Sequence, residues 1–83
     1  MSTIYIRYTC TTLPRESDTL VTLTLQDGIV VNQEVTHQGA FAWDDFGGLD
    51  EQGISALLYE DDEDPPGEHT QASNDGVTWR TNL

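Results

Sequence analysis

Lysine is absent from this chain, and three arginines, Arg7, Arg15 and Arg80, carry all of its permanent side-chain positive charge. A surface without basic clusters cannot neutralise a run of phosphates, so direct binding of DNA or RNA and attachment to an anionic membrane are not expected. Cysteine is nearly absent. Cys10 stands alone, so an internal disulfide is impossible and the fold must hold by packing, which suits a reducing compartment. No hydrophobic run approaches the roughly 18 residues that span a bilayer. The opening MSTIYIRY also has no basic segment followed by an apolar block, and a soluble, unexported, cytoplasmic protein is expected. The chain lacks a glycine-rich phosphate loop, a nucleophile elbow and a lysine base. Its adjacent carboxylates Asp44 and Asp45 do not offer the two distinct environments that general acid–base work needs. No enzymatic activity and no cofactor are expected. His37, His69 and Cys10 lack the close pairing of a zinc site, which leaves two loop histidines and a core-facing thiol.

What the chain has instead is carboxylate. Fifteen Asp and Glu give its 83 residues a net charge of −12, and the charge is unevenly spread. In residues 1–42, Arg7 and Arg15 stand against Glu16, Asp18, Asp27 and Glu34, a net of −2. In residues 43–83, Arg80 stands against eleven carboxylates, a net of −10. A field of this sign repels nucleic acid and draws in basic surfaces over a Debye length of about 8–10 Å. A basic nucleic-acid-binding protein or complex is the partner such a charge fits. The length allows one domain, 1–83, and a chain this short buries only about 60% of the surface its unfolded form exposes.

Periodicity predicts β-structure over the first half. Residues 3–11 alternate, with Ile4, Ile6, Tyr8 and Cys10 on one face and Thr3, Tyr5, Arg7 and Thr9 on the other, the period of a half-buried strand. Pro14 and the polar residues after it predict a loop between Leu13 and Asp18. Residues 19–25 and 29–35 are alternating and β-branched and flank Gln26-Asp27-Gly28, a hairpin signal. A two-residue Asp-Gly loop would set Leu23 and Val21 opposite Asn32 and Glu34. A three-residue loop pairs Leu25 with Ile29 and Leu23 with Val31, so the three-residue loop is expected, with Gly28 in the left-handed region.

Residues 40–43 suit a short strand. Asp50 has the position of a helix N-cap, with Glu51 in the first turn and Leu49 and Ile54 placed as a hydrophobic staple. Ile54, Leu57 and Leu58 share one helical face, while Ile54, Ala56 and Leu58 also alternate as a strand would; a helix is the expectation. Near the end, Asn74-Asp75-Gly76 reads as a turn with Val77, Trp79 and Thr81 on one face, a second hairpin. Residues 73–79 also resemble a shortened Asp-box, the Ser-x-Asp-x-Gly-x-Thr-Trp hairpin of sialidases and related β-proteins, a motif that implies a hairpin and no catalysis. The fold class is therefore α+β, mainly antiparallel β: two β-hairpins plus an N-terminal strand, with one short helix.

The chain changes character at residues 57–68, LLYEDDEDPPGE. Five consecutive carboxylates, Glu60, Asp61, Asp62, Glu63 and Asp64, follow an apolar run and stop at Pro65-Pro66-Gly67, so residues 60–68 are expected as a solvated loop. Counted as a calcium loop from Asp62, the stretch puts Pro66 fifth and Ser73 twelfth, where an oxygen ligand and a bidentate Glu are required, and no metal site is expected. A helix C-terminus prefers cations by roughly 0.3–1 kcal/mol for each charge, so placing acidic residues there is costly and implies a use. Glu60, Asp61, Asp62, Glu63, Asp64 and Glu68 are the candidate partner-binding residues, with Asp44, Asp45, Asp50 and Glu51 widening the patch. Phe41, Trp43 and Phe46 are candidate apolar anchors.

Absent lysine with abundant Asp and Thr also resembles the make-up of proteins adapted to a high-salt cytoplasm. Such acidity coats a surface evenly, however, and one half of this chain is near neutral. About 30 Å of duplex DNA presents about 18 phosphates, so ten net negatives are comparable to the single face that a binding protein touches. In its small size, single domain and concentrated Asp and Glu, the chain resembles phage and mobile-element anti-defence proteins, notably DNA-mimic anti-CRISPR proteins. The resemblance is one of class and transfers no residue. It implies an inhibitor that presents a nucleic-acid-like surface to the basic channel of a CRISPR effector, nuclease or restriction complex, in the host cytoplasm if the chain is phage-encoded. The alternatives are a salt-adapted or phage-structural small β-domain and a toxin-neutralising immunity-type protein.

Overall fold

The computed structural model describes residues 1–61 and 67–80, with the backbone alone at 59–61. Four strands, β1 (Ser2–Cys10), β2 (Thr19–Gln26), β3 (Ile29–His37) and β4 (Glu68–Ser73), form one antiparallel sheet in the order β3-β2-β1-β4. The helix α1 (Glu51–Asp61) packs on one face of it. The protein is α+β and mainly antiparallel β. Its Cα radius of gyration is 11.9 Å, and its extents are 37 × 23 × 21 Å.

Alternation in the sequence becomes burial in the sheet. Ile4, Ile6, Tyr8 and Cys10 of β1 point inward, as do Thr19, Val21, Leu23 and Leu25 of β2, and the residues between them are half-buried on the other face. Central placement of β1 sets Ile6 between Val21 and Ala72, and Tyr8 between Thr19 and Thr70. The helix seals this surface with Ile54 and Leu58, one turn apart and both fully buried, and Phe46 reaches the same core from the segment before it. Asp50 caps α1 as its position predicts, accepting the Gly53 N–H at 2.9 Å through Oδ1.

The β2–β3 turn is tighter than expected. Gln26 pairs with Ile29 and Leu25 with Val30, so the loop is the two residues Asp27 and Gly28, with φ of 53° and 80°, the positive pair of a type I′ turn. The clash of polar against apolar groups that argued for a longer loop is removed by a β-bulge. Register shifts between Thr24 and Leu25, so Thr24 faces Asn32, Leu23 faces Gln33, Val21 faces Val35, and the extra residue, Val31, is left exposed. Only Gly28 keeps the conformation expected of it.

Three further expectations change. Residues 40–43 form no strand; they are held instead by Thr19, whose hydroxyl donates to the Phe41 carbonyl at 2.8 Å and accepts the N–H groups of Gly39 and Phe41. Residues 60–68 are not one loop, because α1 continues through Glu60 to Asp61 and Glu68 opens β4; residues 62–66 lie outside the described residues. Among the described residues the return arm of the last hairpin pairs through one bridge, Ala72 with Arg80, with both backbone hydrogen bonds made at 2.7 and 2.8 Å, and Thr81 lies outside the described residues. Among the described residues, those before the turn supply the strand.

An added Cβ at Gly28 meets nothing within 4 Å, so substitution there strains the backbone without crowding it. Gly28→Val should cost about 1–2 kcal/mol, a fall in Tm of about 5–15 °C by thermal melting, and Gly28→Asn much less. An unchanged Tm for the valine variant would contradict the left-handed turn.

Candidate functional site

The carboxylates on the helix side of the sheet are positioned by a segment without regular structure, residues 38–50, that crosses the inward face. Two inward side chains pin it. The Tyr8 hydroxyl donates to Asp44 Oδ2 at 3.0 Å and accepts the Asp44 N–H at 2.9 Å. The Gln33 amide donates to the Asp44 carbonyl and accepts the Phe46 N–H, both at 2.8 Å. With these four bonds made, the Asp44 N–H and carbonyl and the Phe46 N–H are paired where the backbone brings the Phe46 ring into the core. Farther along, Val30 exchanges backbone hydrogen bonds with Gly48 and Leu49, which also covers the start of the exposed edge of β3.

These bonds decide where the candidate partner-binding residues lie. Asp44 is half-buried and shares a cleft of about 160 Å³ with Glu68, the first residue of β4, and with Tyr8, Phe41 and Thr70. Asp45 is exposed and accepts the Gly47 N–H at 3.0 Å. Asp50 and Glu51 sit exposed at the start of α1, while Glu60 and Asp61 occupy its last turn, about 15 Å along the axis. Asp62, Glu63 and Asp64 lie outside the described residues. Asp44, Asp45, Asp50, Glu51 and Glu68 therefore lie as a band along the helix-bearing side, not as one cluster. Of the candidate anchors, Phe46 is fully buried and unavailable, Phe41 packs against the core, and Trp43 alone is well exposed.

Comparison with protein-family models, curated proteins and solved structures finds no match to this chain. Among the described residues no three His, Cys, Asp or Glu side chains gather as metal ligands.

Tyr8, Gln33 and Thr70 were not singled out in the sequence as site residues. Tyr8 carried a faint signal, a hydroxyl on an otherwise apolar strand face. Gln33 carried none, because only the bulge turns it inward.

Opposite the helix, the last turn is organised by one carboxylate. Asp75 Oδ1 accepts the N–H groups of Val77 and Thr78 and the Ser73 hydroxyl, each at 2.8 Å, while Ser73 Oγ accepts the N–H groups of Gly76 and Asp75. The Asp-box resemblance thus corresponds to a built turn. Backbone donation from Thr78 and Val77, with Ser73 adding to it, holds the Asp75 carboxyl down at about 2, against an ordinary 3.8. A folded-state value below the unfolded one means that the ionised group stabilises the fold above about pH 4 and loses this effect as pH falls toward 2. Asp75→Asn should lower Tm at pH 7, and the gap from wild type should close between pH 4 and pH 2. A gap independent of pH would show that the carboxylate charge does not matter.

Proposed function

We propose that this protein is an inhibitor whose helix-bearing acidic side docks into the basic nucleic-acid channel of a defence complex, such as a CRISPR effector, nuclease or restriction complex, and excludes DNA or RNA. The observation that carries this reading is a gathering of carboxylates on the helix side of the sheet, although Asp75 and Glu34 lie on the other face. Asp44, Asp45, Asp50, Glu51 and Glu68 lie on the side that α1 covers, whereas Arg7 lies on the opposite face with Arg15 beside it. A duplex presents about 22 phosphates over the 37 Å length of the molecule, so the ten net negatives of residues 43–83 approach the count on one duplex face. Carboxylates so arranged pair with Arg or Lys as phosphates do and speed association with a basic channel.

The structure refines the variants that test this. Asp44 and Asp50 make hydrogen bonds the fold uses, and Asp18 is buried, so none of them is a neutral place to remove charge. Asp62→Asn, Glu63→Gln and Asp64→Asn together should leave Tm nearly unchanged and abolish inhibition of DNA binding across a panel of purified effectors and restriction complexes. Glu16→Gln, Asp27→Asn and Glu34→Gln together remove the same charge from exposed positions elsewhere and should inhibit nearly as wild type. Equal loss from both triples would make diffuse charge sufficient, and no inhibition by wild type would overturn the proposal.

Salt separates this reading from salt adaptation. The wild-type protein should be folded at about 0.1 M NaCl and gain only modestly in Tm at about 2 M, because residues 1–42 are near neutral, with a net of −2. A chain unfolded at the lower salt would favour the salt-adapted reading.

A further inference from the structure

A chain with fifteen carboxylates and three arginines has every electrostatic reason to pair each arginine with an acid. Arg7 is not so paired among the described residues. Its Nε and Nη2 donate to Gln71 Oε1 at 3.1 and 2.5 Å, and its guanidinium carbon lies 4.4 Å from the centre of the Trp79 ring. Both partners are neutral. They fix the plane of the guanidinium and leave three of its five N–H donors uncommitted to these bonds. Arg15 lies close enough to work against Arg7's charge. Partial burial lowers the Arg7 pKa most and Arg15 lowers it next, while Asp18 pulls the other way. The two arginines line one cleft of about 250 Å³ beside the β1–β4 pair, together with Thr9, Thr11, His69 and Gln71.

We propose that this cleft is an oxyanion site, in which Arg7 and Arg15 together bind a small phosphate or carboxylate group. The volume falls below the roughly 300–1,000 Å³ of sites for drug-sized ligands, which suits an oxyanion better than a large molecule. Size also answers the objection from net charge. The molecule is at least 21 Å across and the Debye length is about 8 Å at physiological salt, so a small anion held on the open face is screened from the helix side and meets two guanidiniums against one nearby carboxylate, Asp18. A polyanion would extend into the field of the acidic side and be repelled. Guanidinium forks match the spacing of two oxygens on either phosphate or carboxylate, and Arg7 is held in place before the ligand arrives. The site is independent of the inhibitor reading, since it uses the opposite face and the opposite charge.

The test is a titration of the intact protein followed by two-dimensional amide and arginine side-chain NMR, with inorganic phosphate, acetate or chloride at constant ionic strength. Saturable shifts confined to Arg7, Thr9, Thr11, Arg15, His69 and Gln71 are expected with phosphate, acetate or both; the more tightly bound of the two identifies the source of the oxyanion. Arg15→Gln, at an exposed position, should weaken binding about tenfold, and Arg15→Lys, which keeps the charge and loses the fork, should fall between. Equal shifts with chloride, shifts spread over the whole protein, or unchanged affinity in Arg15→Gln would overturn the proposal.

Discussion

The amide of Gln33, which binds the Asp44 carbonyl and the Phe46 N–H at once, lets a stretch without regular structure close over the inward face of the sheet. Its position there depends on one extra residue in β3. Without the bulge at Val31, Leu23 would face Asn32 and the amide of Gln33 would fall on the other face. Phe46 would then have to enter the core with its N–H unpaired, at a cost of about 1–3 kcal/mol, a large fraction of the stability of a chain this small. The same segment places Asp44 and Asp45 and leads into the Asp50 cap, so the acidic side inherits its geometry from this anchor.

Charge in this protein is partitioned between structural and uncommitted roles. Asp44, Asp45, Asp50 and Asp75 each accept hydrogen bonds that hold a turn, a cap or a crossing segment, and Asp75 shows the consequence in its low pKa. The last turn of α1 carries acidic residues and no basic one, an arrangement the helix dipole disfavours. On the far face, Arg7 bridges β4 and the return arm through Gln71 and Trp79. The molecule is thus strongly acidic overall and yet has a cleft lined by two of its three arginines, on the face of the sheet opposite Asp44 and Glu68. Proteins of one net sign can hold both surfaces because solvent screening makes each of them local.

The sequence by itself determined the central strand, the β2 and β3 strands, the Asp50 cap and the fold class, because alternation and capping are local signals whose period reports directly which side chains are buried. It also determined the charge asymmetry between the two halves. Tertiary structure decided the rest. Face-matching alone points to a three-residue loop at Gln26-Asp27-Gly28, whereas a bulge restores the faces after the shorter Asp27-Gly28 turn. Strand β4 was hidden because Glu68, His69 and Gln71 give it no apolar alternation, and it becomes a strand by pairing with the exposed edge of β1. The extension of α1 into Glu60 and Asp61 runs against local electrostatics, so no local rule would have predicted it. Gln33 beneath Phe46, Glu68 beside Asp44 and Arg15 beside Arg7 join residues from different parts of the chain. Such contacts depend on sheet order and register, which no single stretch of sequence encodes.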